Sequence, residues 1–233
     1  MIKFSDKVNK FNKELKINNI LPSGIELLNP FKESKQIQLV SKQFYTHYYG
    51  DTNKRYLILG INPGRLGAGT TGIPFTDVKR LKEKCGININ IADTNEISSV
   101  FIYEMIEAYG GVEKFYKQFY ISSVCPLGFI KKNEHTHTNY NYYDNAKLYS
   151  AVESFIIDCI LKQLDFEVNR DICFCLGTGK NKKYLSELNQ RENFFKKIIF
   201  LEHPRYIMQY KIKQKNAYIK KYIDAFESIK QKR

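Results

Sequence analysis

Four short apolar segments recur along the chain, and each is about as long as a β-strand. They stop at glycine or proline and do not alternate between apolar and polar residues, which is typical of strands covered on both faces. The segments are RYLILGINP (residues 55–63), FYISSVCPLGF (119–129), DICFCLGTG (171–179) and KKIIFLEHP (196–204). This pattern predicts a parallel sheet that is buried between helices.

Segments with helical periodicity lie around these strands. One opens with a capping box, Asp93 to Glu96, and closes at Gly110-Gly111. The others cover residues 34–48, 145–166 and 215–230. The alternation of strand and helix predicts an α/β fold with three layers (αβα), a central four-stranded parallel sheet, and a single domain over residues 1–233.

The most distinctive residues lie in loops that leave the carboxyl ends of the predicted strands. Ligands of parallel sheets bind beyond these ends, so we expect loops 60–76, 125–134, 177–182 and 203–208 to converge on one cleft.

The insert KKNEHTHTNYNYYDN (131–145) is interpreted as a long polar loop that carries aromatic side chains, and long loops are often functional. Its histidines, His135 and His137 beside Glu134, lack a further strong ligand, so no metal site is predicted.

The composition adds a preference for a polyanionic partner. The net charge is +13 and the pI is about 9.3, which favours nucleic acid, although an AT-rich coding sequence also supplies many lysines. The five cysteines form no Cys-x2-Cys pair, which disfavours zinc and iron–sulfur sites. No apolar run approaches the roughly 20 residues of a membrane helix, and a signal peptide is not evident. We expect a cytoplasmic monomer that needs no cofactor.

The glycine-rich stretch LILGINPGRLGAGTTGIPFTD (57–77) admits two interpretations. It has the outline of a phosphate-binding loop, but Thr70 stands where that loop needs its lysine. The other interpretation is a pocket for a base taken out of DNA. Asn62 follows a buried strand, Phe75 offers a flat face for stacking, and the glycines allow backbone amides to line a narrow pocket.

Two segments together resemble the active-site motifs of one superfamily. GINPGRLGAGTTGIPF, from residue 60, and HPRYIMQY, from residue 203, resemble those of the uracil-DNA glycosylases. The match is closest to the single-strand-selective monofunctional (SMUG) branch and its bacterial SMUG-like subgroup. VCPLGF and CLGTGK resemble the middle motif and the third-strand loop, in the family's order, over about residues 50–212. The resemblance implies a four-stranded parallel sheet between helices and the excision of damaged bases.

The resemblance also implies roles for individual residues. Asn62 matches the residue that positions the attacking water, and His203 matches the histidine that donates a hydrogen bond to O2 of the leaving base. Phe75 matches the aromatic residue on which the base stacks. Gly64 stands where the best-known branch has a tyrosine that blocks the 5-methyl group of thymine, so we expect room near C5. The neighbouring positions complete the predicted pocket: Gly60, Ile61 and Pro63.

Two departures from the family pattern change the expectations. Ser123 occupies the position of an asparagine that reads the uracil edge, so xanthine and hypoxanthine become candidate substrates beside uracil and 5-substituted uracils. HPRY replaces the family's HPSP, and we expect Arg205 to contact a phosphate. Ile207 or Met208 is expected to fill the space that the flipped base leaves.

The predicted function is that of a monofunctional DNA glycosylase that flips a deaminated base out of the helix and leaves an abasic site. No amine nucleophile is evident, so strand cleavage is not expected. Cations at the same sheet edge are predicted to bind the DNA backbone: Arg65, Lys180, Lys182 and Lys183. Two alternatives stay open, a nucleic-acid-binding member of the fold that has lost activity and a flavodoxin-like nucleotide-binding enzyme.

Overall fold

The computed structural model describes residues 1–132 and 136–229 of the chain. Within these ranges, the strands are β1 (Ile25–Leu28), β2 (Tyr56–Gly60), β3 (Phe119–Ser123), β4 (Gly128–Lys132), β5 (His137–Tyr140), β6 (Asn169–Leu176) and β7 (Lys197–Leu201). The helices are α1 (Phe4–Glu14), α2 (Pro30–Glu33), α3 (Lys35–Tyr48), α4 (Ala68–Thr71), α5 (Val78–Cys85), α6 (Ile97–Tyr109), α7 (Val112–Gln118), α8 (Ala146–Leu164), α9 (Lys180–Glu192), α10 (Pro204–Tyr210) and α11 (Lys215–Glu227). A short 3-10 turn at Ile212–Gln214 precedes α11.

The four apolar segments form one parallel sheet in the order β3-β2-β6-β7. The apolar side chains of β2, Leu57, Ile58 and Leu59, are buried on both faces of the sheet. This burial explains why the segment shows no alternation between apolar and polar residues. The predicted four-stranded parallel sheet is confirmed.

Neighbouring residues of β3 show that helices cover both faces of this sheet. The ring of Phe119 lies 4.8 Å from that of Phe226 on α11. The next residue, Tyr120, points to the other face, where its ring lies 5.3 Å from Phe4 on α1. Because successive strand side chains point to opposite faces, α1 and α11 belong to different layers. The three-layer αβα fold is confirmed.

The predicted helices are present, with one shifted start. Helices α3, α8 and α11 fall within the expected segments, and α6 ends before Gly110 as predicted. The Asp93–Glu96 capping box is wrong, because α6 begins at Ile97 and the Glu96 side chain caps no backbone group. The backbone N–H of Glu96 instead donates to Oδ2 of Asp77, which also caps α5.

A second, antiparallel sheet in the order β1-β4-β5 lies where a long loop was predicted. The insert 131–145 is therefore partly strand, with Ile130 of β4 paired with Asn139 of β5. The sequence of β5, HTNY, has no apolar periodicity, since this strand is exposed and forms through backbone pairing. Glu134 and His135 lie outside the described residues.

Three further observations concern the part of the chain that the structure describes. No helix there combines the length and the apolar character needed to cross a membrane. No three His, Cys, Asp or Glu side chains there gather closely enough to hold a metal ion. All five cysteines are free thiols, and all but Cys85 are buried.

Candidate active site

A cavity of about 190 Å³ opens at the carboxyl ends of β2 and β3, beside the start of α10. The connection after β2 leads to β3 on one side, and the connection after β6 leads to β7 on the other side. The topological switch point, where ligands of α/β sheets bind, therefore lies at the carboxyl ends of β2 and β6, and the cavity lies at the β2 side of it. The volume is below the roughly 300–1,000 Å³ of sites that enclose larger ligands. The lining residues are Ile61, Asn62, Pro63, Gly64, Ala68, Pro74, Phe75, Glu96, Ser123, Asn139, Asn141, His203 and Arg205.

Asn62 follows β2 and is held by the last residue of β5 and the segment after it. Its Nδ2 donates to the carbonyl of Tyr140 (3.2 Å), and its Oδ1 accepts from the backbone N–H of Tyr142 (3.2 Å). Because one partner is a carbonyl and the other an N–H, the amide has a single satisfactory orientation. One lone pair of Oδ1 is left for a further donor.

His203 follows β7 and is the residue that caps α10. The backbone N–H of Arg205 donates to Nδ1 of the imidazole (3.1 Å). Burial and, to a smaller extent, the positive charge of Arg205 together lower the pKa of His203 to about 4. The ring is therefore neutral at pH 7, and because Nδ1 accepts a hydrogen bond, Nε2 carries the proton and is a donor.

Phe75 forms an aromatic wall next to His203, with the two ring centroids 5.7 Å apart. Its backbone has φ 53°, in the left-handed region that side chains other than glycine rarely adopt. A Cβ added to Gly60 would lie 2.8 Å from Cε2 of this ring. Gly60 does not line the cavity, but its lack of a side chain lets the Phe75 ring occupy this place.

The remaining predicted pocket residues lie in the same cavity. Ser123, the last residue of β3, is buried and pairs in register with Gly60. Ile61, Pro63 and Gly64 line the cavity on the loop after β2. Five of the predicted pocket residues are therefore brought together with Asn62 and His203, and their contacts with a base stay predictions.

Only two of the four loops that were expected to converge line the cavity. Residues of 60–76 and 203–208 contribute, whereas none from 177–182 or from the described part of 125–134 does. Asn181, on the first turn of α9, is buried and accepts a hydrogen bond from the hydroxyl of Tyr142 (2.8 Å). This contact supports the segment that holds Asn62.

The cations predicted to contact DNA are exposed. Arg205 lies at the cavity itself, and Arg65 extends from the loop after β2. Lys180, Lys182 and Lys183 lie on the first turn of α9, where Nζ of Lys182 is 5.3 Å from the ring centre of Phe200. Their contacts with phosphate stay predictions.

The structure corrects the proposed wedge. Ile207 is fully buried in the hydrophobic core, so its side chain is not available to DNA. Met208 is half-buried. The exposed rings of α10 belong to Tyr206 and Tyr210, whose centroids are 5.6 Å apart, as expected for positions i and i+4 of a helix.

Five lining residues were not predicted as site residues: Ala68 and Pro74 on the glycine-rich loop, and the polar residues Glu96, Asn139 and Asn141. Burial raises the pKa of the Glu96 carboxyl, while hydrogen bonding to Ser98 and the charge of Arg205 lower it. The signal for the two asparagines was present, because the polar, aromatic insert was predicted to be functional. The missing information was the pairing of β5 with β4, which carries Asn139 to the cavity.

Comparisons with known proteins agree with this geometry. A family model described as the uracil DNA glycosylase superfamily matches residues 47–227. No curated protein matches the chain. The crystal structure of wild-type SMUG2 from Pedobacter heparinus is 55% identical and superposes with a TM-score of 0.97, over 99% of this chain and 100% of that one. These matches support a DNA glycosylase function of the uracil type, with DNA as the partner. The chain belongs to the uracil DNA glycosylase superfamily.

Proposed function

We propose that the chain is a monofunctional DNA glycosylase of the cytoplasm that acts as a monomer, removes uracil from DNA and leaves an abasic site for base excision repair. The observation that carries the proposal is the meeting of Asn62 and His203 in one cavity of about 190 Å³ with the aromatic wall of Phe75. A fixed amide can position water, a neutral imidazole donor can stabilise the leaving base, and a stacking surface can hold it, which together support hydrolysis of an N-glycosidic bond.

The reaction begins with departure of the base. The bond between C1′ of the sugar and the ring nitrogen of the base breaks, and its electron pair leaves with the base. Positive charge develops on the sugar, as in other glycoside cleavages. Negative charge develops on the base and extends to O2. Water then adds to C1′, and the proton that it loses neutralises the departed base anion, so the products are the free base and the abasic sugar.

His203 stabilises the charge on the leaving base. Its Nε2–H is the remaining donor of a neutral ring whose other nitrogen is occupied by the Arg205 N–H. Loss of one donor aimed at a developing oxyanion costs about 10²–10³-fold in rate. Because the pKa is about 4, the donor keeps the same protonation state throughout the neutral range.

Asn62 positions the water. An amide is too weak a base to remove a proton in advance, but the second lone pair of Oδ1 can accept a hydrogen bond from water while Tyr140 and Tyr142 hold the group in place. The described lining of the cavity contains no lysine, which supports hydrolysis by water over attack by an amine.

The cavity requires that the base leave the DNA stack. Flipping costs a few kcal/mol, which phosphate contacts of Arg65, Arg205 and the α9 lysines offset. Tyr206, exposed beside Arg205, takes the role of filling the vacated stack. The ring of Tyr206 is flat and accessible to DNA, whereas the side chain of Ile207 is buried.

The substrate range extends beyond uracil to xanthine and hypoxanthine. The Ser123 hydroxyl both donates and accepts, and its reach is shorter than that of an amide, so it excludes purines less strictly.

The test uses end-labelled oligonucleotides that contain uracil, 5-hydroxymethyluracil, hypoxanthine or xanthine, both single-stranded and paired. Alkali cleaves the abasic sites after incubation with the wild-type protein, Asn62→Ala or His203→Ala. We expect product from at least uracil with the wild type and a loss of about 10²-fold or more with each variant.

Two results would contradict the proposal. The first is the absence of product from every substrate, with salt-dependent DNA binding retained, which would indicate a binding protein that has lost activity. The second is product that persists in both variants, which would assign the activity to other residues or to a contaminant.

A further inference from the structure

Asn139 places a side-chain amide at a position in the cavity that the sequence predicted to be open. Its Oδ1 accepts a hydrogen bond from the backbone N–H of Arg65 (3.0 Å). Its Nδ2 lies 3.2 Å from the point that a Cβ on Gly64 would occupy. The N–H groups of Asn139 therefore stand in the space that the glycine leaves, and the backbone of Arg65 fixes which end of the amide faces it.

The part of a base that would face Asn139 follows from the proposed function, on which this inference rests. If O2 of uracil faces His203, C5 lies directly across the ring, and C4 with its exocyclic oxygen lies next to C5. Gly64 is the position that faces C5 in the predicted binding mode. An amide that stands over Gly64 is thus adjacent to the C4–C5 edge of a pyrimidine.

We infer that Asn139 is a specificity-determining residue that donates a hydrogen bond to the exocyclic oxygen created by deamination. Conversion of cytosine to uracil replaces an amino group at C4 with a carbonyl oxygen, and conversion of adenine to hypoxanthine does the same at C6. Nδ2 donates to such an oxygen, whereas it meets the amino group of a normal base donor to donor. A site built to hydrogen-bond one group discriminates strongly against an analogue that lacks it.

This assignment explains how the cavity selects its base with a serine at position 123. The reading amide comes from β5 of the antiparallel sheet instead of from the end of β3. The same amide occupies the room at Gly64 and limits substituents on C5 of uracil.

The decisive variant is Asn139→Asp. An aspartate keeps the oxygen that accepts from Arg65 N–H and replaces the donor with an acceptor, at almost unchanged size. We expect kcat/KM on uracil to fall by about 10–100-fold and the ratio of cytosine to uracil excision to rise by about 100-fold or more. Asn139→Ala removes both groups, so we expect the ratio of 5-hydroxymethyluracil to uracil excision to rise.

The control is Thr138→Ala, on the neighbouring exposed position of β5, which does not line the cavity. It is expected to leave all ratios unchanged. Thermal unfolding of each variant shows whether the protein is folded, and excision ratios are insensitive to the fraction of active protein.

The outcomes separate the inference from the proposed function. If the wild type excises no base, the proposed function fails. If the wild type excises uracil and Asn139→Asp or Asn139→Ala lowers every rate by the same factor, the inference is overturned, and Asn139 only anchors the loop that carries Arg65. A changed ratio in both variants supports the assignment.

Discussion

The two sheets reach the same cavity in different ways. The parallel sheet is buried at its inner strands, is half-buried at the edge strand β7, and supplies Asn62 and His203 from the ends of β2 and β7. The antiparallel sheet is largely exposed at β5 and supplies Asn139, with the carbonyl of Tyr140 that holds Asn62. In the proposed mechanism the parallel sheet carries the reacting groups, and the antiparallel sheet orients them and selects the base.

The sharpest test of the role given to the parallel sheet is the variant His203→Asn. Asparagine retains an acceptor for the Arg205 N–H and so keeps the cap of α10, but it cannot place a donor where Nε2 was. We expect single-turnover excision of uracil to fall by about 10²–10³-fold with the unfolding free energy unchanged. His203→Ala is expected to lose activity equally and a further ~1 kcal/mol of stability.

A near-normal rate in His203→Asn would contradict this role, because the parallel sheet would then not carry the essential donor. Both variants are measured with saturating enzyme on the same single-stranded oligonucleotide, and their stability is measured by urea unfolding.

The variant Tyr142→Phe tests the hydrogen bond that joins the segment after β5 to Asn181 on α9, the helix that follows β6. The Tyr142 hydroxyl is buried and donates to Asn181, so its removal leaves the Asn181 oxygen without this donor. We expect the unfolding free energy to fall by about 1–3 kcal/mol and the excision rate by less than about tenfold, since the backbone N–H that binds Asn62 remains.

Tyr140→Phe is the matched control, because its hydroxyl binds the Asp144 carbonyl at an exposed site. It is expected to change stability by less than ~0.5 kcal/mol. An equal loss of stability in the two variants would show that the Tyr142–Asn181 hydrogen bond does not anchor the segment after β5.

The smallest expected effect is the change in the free energy of unfolding with pH. The pKa of His203 is about 4 in the folded protein and near its ordinary 6.5 when unfolded, so the unfolded state binds the proton more tightly. The stabilisation is complete above pH 6.5 and is lost as the pH falls towards 4. Between pH 7.5 and 5.5 the loss is about 1 kcal/mol. The contribution of His203 is the difference in unfolding free energy between the wild type and His203→Asn, measured by urea unfolding at each pH. If this difference does not change with pH, the lowered pKa is contradicted.

The parallel sheet could be predicted because its strands are continuous apolar runs that end in glycine or proline, and the motifs at their ends identified Asn62 and His203 as candidate site residues. Strand β5 could not be predicted, since HTNY has neither apolar periodicity nor a turn signal at a fixed distance. Its position depends on pairing with β4, which is a tertiary property. Ile207 was misassigned because local sequence does not show which side of a seven-residue helix is buried.

The left-handed backbone of Phe75 has a consequence for the thermodynamics of association. Its strain, about 1–3 kcal/mol, is borne when the chain folds, and the ring stands over Gly60 before any ligand arrives. Ordering a mobile side chain at an interface costs about 0.5–1.5 kcal/mol, which this wall avoids. Under the proposed function, a base enters a site that is already shaped, and we expect the conformational entropy lost on binding to be mainly that of the nucleic acid strand. For this reason a flexible single strand and a stiff duplex will differ in affinity through their own stiffness, with the same enzyme surface presented to both.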